Sequence, residues 1–176
     1  MTGRLPVVGV MGSGERAHAD KVEAIGRWLA TLEVHLLTGA GEGVMEAVSR
    51  AFQAVPDRAG LVVGIAPCGD DRALPRPGYP NPFVELAILT HLPLSGVSGT
   101  DPLSRNHINV LSSNVLIALP GGSGTSSEAA LAVRYGRPIV AFVDRRTDIP
   151  ALPEEVPNAS TLAEVKDFVR AALKKT

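Results

Sequence analysis

The sequence predicts an α/β fold, a doubly wound parallel sheet of about six to seven strands with helices on both faces. Three observations lead there. Short apolar runs of strand length recur along the 176 residues and alternate with stretches of helical periodicity. Strands that alternate with helices form a parallel sheet covered on both sides. Three glycine clusters, GVMGSGE at 9–15, LLTGAGEGVMEA at 36–47 and ALPGGSGTSSE at 118–128, each fall where an apolar run ends.

Residues 5–11 (LPVVGVM) are a β-branched run closed by glycine, which reads as a buried strand. Residues 17–33 follow with Val22, Ile25, Leu29 and Leu32 on one helical face. A second strand is expected at 34–38. Val44, Ala47, Val48, Ala51 and Phe52 then keep the spacing of an amphipathic helix. A third strand is expected at 61–66. Between 67 and 83, Pro67, Pro75, Pro77, Pro80 and Pro82 exclude both helix and central strand, so this stretch reads as an ordered surface loop, a lid or a subunit contact.

Residues 84–90 are the fourth expected strand. Residues 102–113 read as a helix with Leu103, Val110 and Leu111 inward and Arg105, Asn109 and Ser112 on the other side. Strands at 115–119 and 138–143 enclose a helix at 125–135. The closing stretch STLAEVKDFVRAALKK is an amphipathic helix with a capping signal at Thr161 and Glu164. No repeat or low-complexity tract breaks the pattern, so a single Rossmann-like domain is expected over 1–176.

Bulk properties exclude several functions. The net charge of −1 gives no field toward nucleic acid or anionic membrane, and neither partner is expected. No apolar run approaches the roughly 20 residues needed to cross a bilayer. Cys68 is the single cysteine, which rules out an internal disulfide and suits a reducing cytoplasm, the expected location. His18, His35, His91 and His107 have no metal-ligand spacing, so no structural metal is expected. Lysine occurs only at 21, 166, 174 and 175, leaving none beside the second and third glycine clusters and none in P-loop spacing at the first. A pyridoxal phosphate enzyme, which needs a Schiff-base lysine, fits no better.

In open α/β sheets, ligands gather outside the carboxyl ends of the strands, near the point where strand order reverses. All three glycine clusters are expected at such ends. In PGGSGTSSE, bare backbone can approach a ligand closely, and the helix start adds the positive end of its dipole. Ser123, Thr125 and Ser126 supply further donors. A tight turn is the alternative for each cluster taken singly. GVMGSGE is G-x-x-G-x-G rather than G-x-G-x-x-G, and Thr38 and Gly39 stand where a ribose-binding acid belongs, so NAD is not expected.

Glu128 leaves two readings open. Thr125-Ser126-Ser127-Glu128 matches a capping box, with Thr125 as N-cap. Otherwise the carboxylate stands beside a bound ribose, able to orient water or stabilise an oxocarbenium-like centre. Arg105 can reach a phosphate bidentately or face solvent. His107 can face the site or serve the fold.

Arg105-Asn106, then NVLIALPGGSGTSSEAALAVRYGRPIVAF, with LLTGAGEGVMEAV upstream, resembles the Lonely-guy-like proteins once labelled lysine decarboxylases. Pro120, Gly121, Gly122, Gly124, Thr125 and Glu128 match the P-G-G-x-G-T-x-x-E motif in full, and the likeness runs over about residues 5–143. The decarboxylase label fails on the missing lysine.

The resemblance implies two branches. Hydrolases of the family cleave the N-glycosidic bond of nucleoside 5′-monophosphates, which makes Arg105 and Glu128 the catalytic pair. Those enzymes usually read Arg-Lys and end the motif with two acids, whereas this chain has Arg105-Asn106 and Glu128-Ala129. The short form with a single acid is more similar to the molybdenum-cofactor carrier branch, which binds a phosphorylated pterin, typically as a homo-oligomer. A molybdenum cofactor as bound ligand and a dimer or tetramer are what that branch implies. A nucleotide-sensing module without chemistry is a third reading.

The ligand-binding residues expected on this basis are Gly12, Ser13 and Gly14 in the first cluster. The second supplies Gly39, Ala40, Gly41, Gly43, Val44 and Met45. The third supplies Pro120, Gly121, Gly122, Ser123, Gly124, Thr125 and Glu128, with Arg105 and Asn106 alongside.

Overall fold

A computed structural model describes residues 4–175, so the outermost residues of the expected 1–176 domain lie outside the described range. Seven strands form one parallel sheet: β1 (Val7–Met11), β2 (His35–Thr38), β3 (Val62–Ala66), β4 (Leu86–Leu89), β5 (Val115–Ala118), β6 (Ile139–Phe142) and β7 (Asn158–Ala159). Their spatial order is β4-β3-β2-β1-β5-β6-β7. The chain therefore winds outward from β1 in one direction, then returns to place β5 on its other side. The switch point lies between β1 and β5, where ligands of such sheets bind. Met11 stands opposite Ala118 in register, so the glycine loops after both strands start at the same height.

Side-chain alternation decides which helix covers which face. Val8, Val10, Leu36, Val62, Val115 and Ile117 point to one side. They pack against α1 (Ala19–Leu29), α2 (Val44–Gln53) and α5 (Leu162–Leu173). Met11, Leu37, Val63, Ile65, Leu116 and Ala118 point to the other, where α3 (Asn106–Ser112) and α4 (Ser123–Arg134) lie. Gly26 lets α1 approach α2, because a Cβ there would sit 2.7 Å from the Ala51 side chain.

Several boundaries differ from the sequence reading. The helix expected over 17–33 ends at Leu29, and Thr31 hydrogen-bonds the carbonyl of Trp28 through its hydroxyl. The helix expected over 102–113 is only Asn106–Ser112, and its facing is partly reversed. Asn109 and Arg105 are buried, whereas Leu103 and Leu111 are exposed. The turn of α3 toward α4 carries Asn106, Asn109 and Val110 inward, and apolar periodicity could not separate these amides from surface ones. β4 is an edge strand exposed at all four residues. With Leu61 and Leu111, its Leu86 and Ile88 line an open groove of about 870 Å³ at the amino ends of the strands, away from the glycine loops. No helix is long and apolar enough to cross a membrane among the described residues.

Candidate functional site

The first and third glycine loops are bonded directly to each other. The Ser13 amide donates to the Pro120 carbonyl at 3.1 Å. The second loop joins through α2, whose Val44 amide donates to the Ser13 carbonyl at 2.8 Å. Close approach requires glycine here. A Cβ on Gly12 would lie 2.8 Å from both methyls of Val44. Gly43 has φ +63, and a Cβ there would strike the Ser13 carbonyl oxygen. The three loops thus pack as one unit at the switch point.

Between them lies a cavity of about 350 Å³. Gly12, Ser13 and Gly14 form one wall, and Gly122, Ser123, Gly124 and Thr125 form another. Met45, Arg105, Asn106 and Glu128 complete the part of the lining expected from sequence. The other expected residues stand elsewhere. Gly39 is pressed against the Arg105 guanidinium, and Gly41 lies under Tyr79. Ala40 takes a left-handed conformation and accepts from the Asn81 amide at 2.8 Å. Gly43 and Val44 brace the Ser13 turn from behind. Pro120 and Gly121 face a separate, open polar cleft beside Arg16, Lys21, Asp144 and Arg145. That cleft has its own internal pairing, with Lys21 on Asp144 at 2.8 Å.

α4 begins at Ser123 with Gly122 as its cap, and no side chain caps it. Of the two readings left open for Thr125 and Glu128, the capping box is therefore not formed. The amides of Ser123, Gly124 and Thr125 belong to the first turn, where no carbonyl of the same helix can accept from them. Beside them, three buried side-chain atoms have no partner: Thr125 Oγ1, Asn106 Nδ2 and Arg105 Nε. Buried polar groups are nearly always hydrogen-bonded, so orphans on three residues that line one cavity mark it as a place for a polar guest.

Arg105 is the residue before α3 and is only 5% exposed. Its Nη1 donates to the Ile65 carbonyl at 2.9 Å, and its Cζ lies 5.9 Å from the centre of the Tyr79 ring. Burial pulls Arg105 below its ordinary value, while the Glu128 carboxylate works against that shift. Glu128, 7% exposed, accepts from Asn109 Nδ2 at 2.8 Å. Burial pushes its carboxyl above the ordinary range, opposed by Arg105 and then by the Asn109 hydrogen bond. The site thus offers amides and a guanidinium to an anion, and one desolvated carboxyl close by.

Tyr79, Ser95 and Gly96 also line the cavity and were not among the expected residues. Tyr79 comes from the proline-rich loop, which Asn81 ties down by donating from Nδ2 to the Gly41 carbonyl at 2.8 Å. The prolines marked that loop as ordered, but no local pattern told where it would land. Ser95 and Gly96 precede and open a short 3₁₀ turn, Gly96–Ser98, held to α4 by the Ser127 hydroxyl bonding to the Gly96 carbonyl at 2.9 Å. His107 serves the fold, with its ring nitrogens 2.7 Å from the Tyr135 hydroxyl and 2.9 Å from the Asp101 carbonyl.

Comparison with known proteins agrees with the fold. The molybdenum cofactor binding protein of Rippkaea orientalis superimposes with a TM-score of 0.73 at 30% identity, covering 98% of this chain and 99% of that one. The molybdenum cofactor carrier protein of Chlamydomonas reinhardtii gives 0.69 at 26% identity, covering 97% and 99%. An uncharacterized protein of Archaeoglobus fulgidus is 30% identical over 169 residues, 93% of this chain and 99% of that protein. The SLOG cluster4 family model matches residues 5–170, and the chain belongs to that family.

Proposed function

We propose that the chain is one ligand-binding domain whose glycine loops hold a phosphorylated pterin of the molybdenum-cofactor type, for carriage or storage. The observation that carries this reading is the cluster of buried, unpartnered donors, Thr125 Oγ1, Asn106 Nδ2 and Arg105 Nε, around one small cavity at the switch point. These groups fit the ligand class. The amides of Ser123, Gly124 and Thr125 with the Thr125 hydroxyl would seat the phosphate at the positive end of α4. Arg105 would add its charge, and Tyr79 would offer a face to the ring system. A volume of about 350 Å³ lies within the range of small-molecule sites. The likeness to two molybdenum cofactor proteins at 30% and 26% identity supports the same choice.

A nucleoside 5′-monophosphate hydrolase is the second reading, favoured by one observation. Glu128 is buried and its carboxyl is pushed upward, as in a general acid. The two separate on one experiment. The protein is incubated with adenosine monophosphate and an N6-substituted analogue, and free base is sought by chromatography. The carrier reading expects no release, together with saturable binding of molybdenum cofactor. Release that disappears in Glu128→Ala would establish the hydrolase instead.

We also propose a homo-oligomer, a dimer or tetramer. The exposed Leu61, Leu86, Ile88 and Leu111 on one open groove support it, since large apolar side chains clustered at a surface mark association sites.

A further inference from the structure

A buried carboxyl is an unexpected neighbour for an anion seat. Glu128 follows Thr125 by three residues in α4, so the two are about 4.5 Å apart along the helix axis. Both line the same cavity. Like charges that close repel, and a site meant for a bare oxyanion gains nothing from the acid.

The surroundings of Glu128 nevertheless hold it there. Asn109 is fully buried and spends Nδ2 on Glu128 Oε1 at 2.8 Å, although its own Oδ1 then has no partner. Leaving a buried acceptor unmade is costly, so packing alone is a poor reason for an amide at this position. Behind it, the Ser113 hydroxyl closes the turn by donating to the main-chain carbonyl of Asn109 at 2.8 Å. One turn earlier on α3, Asn106 lines the same cavity, and its buried Nδ2 has no partner.

Resting on the phosphorylated-pterin reading above, we propose that Glu128, aimed by Asn109, is a fixed hydrogen-bond acceptor that reads the N–H edge of the ligand's ring, with Asn106 donating to the adjacent ring carbonyl. A 2-amino-4-oxopyrimidine edge carries both kinds of group side by side. Phosphate, which has no such edge, meets only the repulsion. Asn109 is a positioning residue, acting through Glu128. The ligand class is therefore bifunctional, an anion at the α4 amides and a donor-bearing heterocycle whose far edge meets Glu128.

Calorimetric titration with four probes tests this: inorganic phosphate, 6-hydroxymethylpterin phosphate, the same pterin methylated at N2 and N3, and adenosine monophosphate. The wild-type protein is expected to bind the pterin phosphate at least tenfold more tightly than any other probe. Glu128→Gln is expected to bind inorganic phosphate severalfold more tightly and the pterin phosphate at least tenfold more weakly. Asn109→Leu is expected to weaken the pterin phosphate while leaving inorganic phosphate unchanged, which a merely structural role would not do.

Equal tightening of both probes in Glu128→Gln overturns the acceptor role and leaves the anion seat standing. So does a methylated pterin that wild type binds as well as its parent, an arm that needs no variant to fold. Adenosine monophosphate bound as tightly as the pterin phosphate, with the same loss in Glu128→Gln, overturns the pterin edge and makes the donor a nucleotide's ribose hydroxyl or amino group. Wild-type protein that binds none of the probes overturns the pterin reading itself.

Discussion

Thr125 and Glu128 occupy one face of α4, yet they are expected to respond oppositely to substitution. The Thr125 hydroxyl is buried without a partner, so Thr125→Val removes an unsatisfied group and keeps the shape. The variant should melt at or slightly above the wild-type temperature while losing at least tenfold in pterin phosphate affinity, about 1.4 kcal/mol. Thermal denaturation and calorimetry on the same sample check both halves. Glu128 is a pH problem. Its carboxyl is raised in the folded state by burial, so its contribution to stability is fully present below the ordinary carboxyl range. That contribution is lost as pH rises through the folded value. Glu128→Gln keeps an acceptor for Asn109 and removes the charge. It is expected to melt a few degrees above wild type at pH 8, with the gap closing as the pH falls through the raised folded value and gone below about 4.5. A gap that does not depend on pH would mean that the carboxyl is not desolvated as described.

The same four-residue pattern meets two fates in two helices, and this shows what spacing can and cannot convey. Thr161 and Glu164 form the expected capping box of α5, with the Glu164 amide donating to Thr161 Oγ1 at 3.3 Å and the Thr161 amide to Glu164 Oε2 at 2.9 Å. Thr125 and Glu128 form none, because Gly122 takes the cap and Asn109, from another helix, captures the acid. The first is a local interaction legible in sequence; the second is decided by a contact between residues 19 positions apart. Strand positions were legible for the same local reason, since short apolar runs of strand length leave little choice, and the two-residue β7, which has no such run, was not legible. The facing of α3 and the landing of Tyr79 over Arg105 were not, because both depend on distant packing. Thr161→Ala should lower the melting temperature by about 2–4 °C, as loss of an N-cap in a chain of this length does. Gly43→Ala should cost more, on the order of 2–3 kcal/mol, because it adds a side chain at φ +63 against the Ser13 turn. Far-ultraviolet melting curves of the two variants give the comparison.

At the scale of the whole molecule, the sheet has one finished end and one unfinished face. The carboxyl ends are closed over by the glycine loops, Tyr79 and the Gly96 turn, while the apolar groove near β4 is left open. A homo-oligomer that uses this groove should dissociate when Ile88 is changed to Asp, with the sedimentation coefficient falling to that of a monomer and the cavity's ligand affinity read alongside. The central claim concerns the other end: the first and third glycine loops make a seat for a phosphorylated small molecule. Its most direct test is a calorimetric titration of wild type and Thr125→Val with 6-hydroxymethylpterin phosphate. One saturable site per chain in wild type, weakened at least tenfold by the variant, is the expected result; no saturable binding, or equal binding by both proteins, would contradict it.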